Sequence, residues 1–82
     1  MDTRYLVIIA LAKELRRTPE EVAEAQSLGA LGIESLDMVS VIMSLEDTLK
    51  IHISDRDLYN VKSLEDLITL VERTKSANVS GQ

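Results

Sequence analysis

Between Leu36 and Leu49 the apolar residues Leu36, Val39, Ile42, Leu45 and Leu49 recur at intervals of three and four, while Asp37, Ser40, Ser44, Asp47 and Thr48 fall mostly between them. Only an α-helix returns side chains to one face at that spacing, so this segment reads as the strongest helix of the chain. Its stripe has to be buried against other elements, and those elements read as helices too. A first helix is expected from about Thr3 to Arg16, with Leu6, Ile9, Ala10, Lys13 and Arg17 marking successive turns and cations at the C-terminal end, where they complement the helix dipole. Thr18-Pro19-Glu20-Glu21 is a capping-box start with proline in the first helical position, read as opening only one turn. Ala25 to Gly32 reads as a long connection. Ser54-Asp55-Arg56-Asp57 opens a helix of one or two turns, and Ser63-Leu64-Glu65-Asp66 opens a last helix with the stripe Leu64, Leu67, Ile68 and Val71, reaching about Thr74.

No segment alternates like a strand, and Lys50 to Ser54 is read as the loop entering the short helix. The expected class is all-α: a four-helix bundle with a long first loop and a short third helix. It spans residues 1–75 as a single domain, with 76–82 as a flexible tail. At 82 residues the chain has room for one domain only. There is no cysteine and a single histidine, so neither a disulfide nor a zinc cluster can support the fold. With Tyr5 and Tyr59 the only aromatic residues, the core is expected to be aliphatic.

The net charge of −5 argues against a protein that binds a phosphate backbone by counterion release. It is also segregated: residues 1–17 carry +2, residues 18–72 carry −9 and residues 73–82 carry +2. A field-driven partner is therefore expected to be basic and to meet the middle of the chain, through contacts that weaken with salt. The apolar run Leu6 to Ala12 is too short to span a membrane and sits between Asp2 and Lys13-Glu14, so it is read as helix rather than as a signal peptide or an anchor. We expect a monomer without nucleic-acid or membrane partners. A chain without thiols fits a reducing compartment, and a cytoplasmic location is expected.

One local constellation looks built for chemistry. Leu31-Gly32-Ile33-Glu34-Ser35-Leu36-Asp37 places a hydroxyl at the start of the strongest helix, where free backbone N–H groups and the dipole favour an attached anion such as a phosphate ester. The same residues also read as an ordinary helix cap formed by Ser35 or Glu34, and the pattern alone leaves both readings open.

With Val39, Ile42-Met43 and Leu45-Glu46-Asp47 following it, this constellation resembles the acyl carrier protein family, whose motif is Asp-Ser-Leu after a Leu-Gly turn. Ile51, Ile53 and Asp55 resemble the family's entry to its third helix, and Val61 to Ile68 its last loop and helix, so the likeness covers about residues 4–72. The resemblance implies a carrier and not an enzyme. Ser35 would receive 4′-phosphopantetheine from coenzyme A through a phosphopantetheinyl transferase, and the thiol absent from the sequence would come with that group. It further implies an acyl pocket at Val39, Ile42, Leu45, Ile53, Val61 and Leu67. Glu34, Asp37, Met43, Glu46 and Asp47 would meet basic patches on acyl-loading and acyl-processing enzymes. Read without the family, the first set is equally plain core and the second an ordinary solvated face.

The departures bear on partner choice. Glu34 stands for the usual aspartate before the serine, Ala30 for a frequent acidic residue before Leu-Gly, Ser40 for an acidic position on the helix and Ser54 for a common proline. They set a carrier dedicated to a specialised lipid or polyketide pathway beside one of fatty-acid synthesis. The alternatives are an aminoacyl or peptidyl carrier, or an unmodified acidic interaction module. Catalysis would need a base near Ser35, and His52 lies past the far end of the same helix, about 20 Å away. Met1 and the short flanks lead us to expect a free-standing chain and not a domain of a larger synthase.

Overall fold

The computed structural model describes residues 2–80, with side chains to Ala77. Its elements are α1 (Thr3–Leu15), α2 (Pro19–Glu24), a 3-10 turn (Gly29–Leu31), α3 (Ser35–Leu49), α4 (Asp55–Leu58) and α5 (Leu64–Ser80). The four expected helices are α1, α3, α4 and α5; α2 and the 3-10 turn lie inside the long first connection.

Most helix starts form as their capping residues dictate. The Asp2 carboxylate accepts from Arg4 N at the head of α1. At α2, Glu21 N donates to Thr18 Oγ1 at 3.1 Å and Thr18 N donates to Glu21 Oε1 at 2.9 Å, a complete capping box. At α5, Asp66 N donates to Ser63 Oγ while Ser63 N and Lys62 N both donate to Asp66 Oδ2. Ser54 caps α4 by accepting from Arg56 N, but the reciprocal bond expected from Asp57 is not among those formed. α1 and α3 end in left-handed residues, Arg16 at φ 56° and Lys50 at φ 58°, where glycine is the usual choice.

The core is aliphatic, as expected. Leu11 and Val7 of α1, Val22 of α2, Val41 and Leu45 of α3, and Leu67 and Val71 of α5 are essentially fully buried, while Tyr5 and Tyr59 are exposed. Leu28 and Leu31 of the first connection also enter the core, and Leu28 N bonds Lys62 O, so this segment is packed against the bundle. Arg4 pairs with Glu65 at 2.7 Å across the exposed seam between α1 and α5.

Three details differ from the sequence reading. The buried residues of α1 are Thr3, Val7, Ala10, Leu11 and Ala12, whereas Leu6 and Ile9 are half-buried and Lys13 is exposed. The run from Leu6 to Ala12 is apolar on every side, so periodicity could not select the inward face. On α3 the inward stripe is Val41, Ile42 and Leu45, flanked by half-buried Met38 and Leu49; Leu36 and Val39 are exposed. Three-residue steps lag a 3.6-residue turn, so the sequence stripe rotates off the core toward its N-terminal end. Finally, α5 runs past Thr74 to Ser80 instead of giving way to a tail at residue 76, because no glycine or proline interrupts propagation before Gly81. The remainder of the expected tail, residues 81 and 82, lies outside the described residues.

Candidate functional site

Gly32 ends the 3-10 turn at φ 74°, a left-handed value open to glycine, and turns the chain toward α3. Glu34 then takes the N-cap position with extended backbone, and its N–H donates to Asp37 Oδ2 at 3.1 Å. Ser35 is the first residue of α3. Its side chain is exposed, and its hydroxyl makes no hydrogen bond among the described residues. Capping is thus carried by Glu34 and Asp37, which leaves the Ser35 oxygen available at the positive end of a fifteen-residue helix.

Along α3 from Ser35, Leu36 is 81% exposed, Val39 49% and Met43 63%, an apolar strip open to solvent. The carboxylates around it are not equivalent. Glu34 and Asp47 are exposed, Asp47 standing 4.0 Å from Lys50 Nζ. Asp37 is half-buried with one oxygen on the Glu34 N–H. Glu46 is half-buried, and its Oε2 accepts from Ile53 N at 2.8 Å and lies 3.4 Å from His52 Nδ1. The expected single exposed row of acids is therefore two exposed carboxylates, Glu34 and Asp47, and two half-buried ones, Asp37 and Glu46, that hold backbone N–H groups.

A cavity of about 130 Å³ opens between α3 and α4. Val39, Ile42, Met43 and Glu46 line it from α3, His52 and Ile53 from the connection, and Asp55 and Leu58 from α4. Of the residues expected to line an acyl pocket, Val39, Ile42 and Ile53 meet here. Leu45 does not line this cavity and instead borders a depression toward α1, shared with Leu6 and Ile9. Val61 borders a separate, more polar cavity of about 270 Å³ with Asn60 and Thr69, and Leu67 is fully buried core. Leu58 was missed by the sequence reading, although it is the one apolar residue of the turn that Ser54 caps. His52 is exposed and sits beyond the C-terminal end of α3, remote from Ser35. No cluster of three or more His, Cys, Asp or Glu able to hold a metal ion occurs among the described residues. Nor is any helix there long and apolar enough to cross a membrane.

The family model described as "Phosphopantetheine attachment site" matches residues 6–71, most of the chain and all of α2 to α4. This chain belongs to the acyl carrier protein family. It is 38% identical over 73 residues to an acyl carrier protein homolog of Mycoplasmopsis pulmonis, covering 89% of this chain and 96% of that one. It is 35% identical over 69 residues to an acyl carrier protein of Syntrophus aciditrophicus, covering 83% and 86%. A third relative, an acyl carrier protein homolog of Mycoplasma genitalium, is 39% identical over 64 residues, with 78% and 76% covered. Members of this family carry and do not catalyse. A family defined by phosphopantetheine attachment also fits the geometry, since the exposed hydroxyl at the head of α3 and the cavity beyond Val39 lie on one helix.

Proposed function

We propose that Ser35 carries 4′-phosphopantetheine, donated from coenzyme A by a phosphopantetheinyl transferase, and that the protein holds acyl groups as thioesters for enzymes of fatty-acid or specialised lipid or polyketide synthesis. The observation that carries this reading is the Ser35 hydroxyl. It is exposed, free of any capping role, and set at the N-terminal end of α3 within the matched segment. The N–H groups of that helix end favour the phosphodiester this oxygen would form. The prosthetic group supplies the reactive thiol, which a chain without cysteine cannot.

The chain's own residues present and shelter the cargo. Val39, Ile42, Ile53 and Leu58 offer an apolar lining to the first carbons of an acyl chain. Leu36 and Met43 give a soft apolar contact strip, and Glu34, Asp37, Glu46 and Asp47 surround it with negative charge for partners with basic patches. Such encounters are brief and small, in keeping with a monomer that visits several enzymes in turn. We place this work in the cytoplasm, with the coenzyme A pool that the modification draws on.

The test is intact-mass measurement after incubation with coenzyme A, Mg²⁺ and a broad-specificity phosphopantetheinyl transferase. The wild type should gain one phosphopantetheine. Ser35→Ala should gain none while keeping its helical circular dichroism. Equal gain in both proteins would refute the site. No gain in the wild type, beside an active control carrier, would favour an unmodified acidic interaction module.

A further inference from the structure

Two neighbouring acids on α3 behave differently, and the difference falls on the cargo cavity. Asp47 stands in solvent, its side chain 89% exposed. Glu46 gathers the chain that follows α3: its carbonyl accepts from Lys50 N and Ile51 N, and its carboxylate accepts from Ile53 N at 2.8 Å. Ile53 is 2% exposed and its side chain forms a wall of the 130 Å³ cavity, so its N–H has little access to water as a substitute partner. An ionised acceptor makes this one of the stronger hydrogen bonds available to a connection of this length.

We propose that Glu46 is a positioning residue for the cargo: its carboxylate latches the α3–α4 connection so that Ile53 stands as a preformed wall of the acyl cavity. The cargo half of this inference rests on the carrier reading above. A cavity near 130 Å³ is close to the roughly 150 Å³ that admits a benzene-sized guest, so the latched form suits about six carbons of an acyl chain. The latch spans one side of the mouth and leaves the single turn of α4, with Leu58, as the opposite wall.

Reach and charge can be separated by two conservative variants. Glu46→Gln keeps the reach and an acceptor oxygen but loses the charge; Glu46→Asp keeps the charge and withdraws by one methylene. Amide hydrogen exchange at Ile53 is read on the unmodified protein. Glu46→Asp should speed it about ten- to hundred-fold, while Glu46→Gln, which keeps an acceptor in reach but loses its charge, should speed it less, about three- to tenfold. Association with the transferase should show the reverse order, slowed in Glu46→Gln and retained in Glu46→Asp. After Ser35 is loaded with a six-carbon acyl group, the rise in Tm over the unacylated holo form should be kept by Glu46→Gln and fall by about half or more in Glu46→Asp.

Equal Ile53 exchange in all three proteins would overturn the latch. Faster exchange in Glu46→Asp with an undiminished acyl increment would overturn its role toward cargo. A failure of the carrier reading appears separately, as no mass gain at Ser35. It would overturn the cargo half while the Ile53 exchange still decides the latch.

Discussion

Gly32 adopts φ 74° between the 3-10 turn and Ser35, a conformation that costs an L side chain about 1 kcal/mol. No atom lies within 4 Å of where its Cβ would stand, so the cost of Gly32→Ala is conformational alone. Gly29 has no positive φ, and a Cβ there would meet only Ser27 Oγ at an ordinary 3.8 Å. Thermal melts should therefore show Gly32→Ala lowering Tm by roughly 4–8 °C and Gly29→Ala leaving it unchanged or slightly raised. An equal response at the two positions would show that Gly32 is not held left-handed. The two glycines look alike in the sequence, where both read as parts of a connection. The position of Ser35 at the head of α3 was legible because a hydroxyl shortly after Leu-Gly and ahead of an apolar stripe is a local pattern. The backbone bond of Glu46 was not, since a partner seven residues away depends on how Lys50 turns the chain.

At the scale of elements, helix existence was written in local signals and helix phase was not. Thr18 with Glu21, and Ser63 with Asp66, form the boxes their spacing announces. Phase depends on which of two overlapping apolar stripes meets the neighbouring helices. On α3, Leu36 and Val39 extend one stripe, while Met38 and Val41 extend the other, which faces the core. Ile42 belongs to both and is 5% exposed; Leu36 is 81% exposed. Ile42→Asp should cost roughly 3 kcal/mol or more, because a buried carboxylate there has no partner. Leu36→Asp should change stability by no more than about 0.5 kcal/mol, with the new acid in the first turn where the dipole favours it. Urea denaturation of the pair checks this, and comparable losses would show that α3 is rotated from the phase described. The surplus apolar strip on α3 is what a folding argument leaves unexplained and a docking argument uses. The missed lining residue Leu58 reflects the same gap, since a one-turn helix carries too few residues to show a period.

For the whole molecule, the excess of acids ties stability to pH through a few carboxylates that hold helix ends. Glu21 is held below its ordinary value of 4.5 chiefly by the Thr18 N–H, and Asp66 below 3.8 chiefly by the Lys62 N–H, with Ser63 adding to it. Glu65 is lowered by its hydrogen bond from Arg4. A carboxyl that is more acidic folded than unfolded binds fewer protons in the native state across the interval between the two values. Stability therefore rises with pH over that interval: the contribution is complete above the ordinary value and disappears as pH falls through the folded one. The acidic middle of the chain adds an opposing trend, because protonation also relieves repulsion among residues 18–72. Comparing wild type with the double variant Glu21→Gln, Asp66→Asn isolates the capping groups. The Tm advantage of wild type should be greatest at neutral pH, narrow below about pH 5 and vanish once both acids are protonated. An advantage that persists in acid would assign these residues a packing role. One that shrinks instead as pH rises above neutrality would reverse the sign derived from their bonds. Both carboxylates sit at the entries to α2 and α5, so acid should fray the bundle at those two capped helix ends.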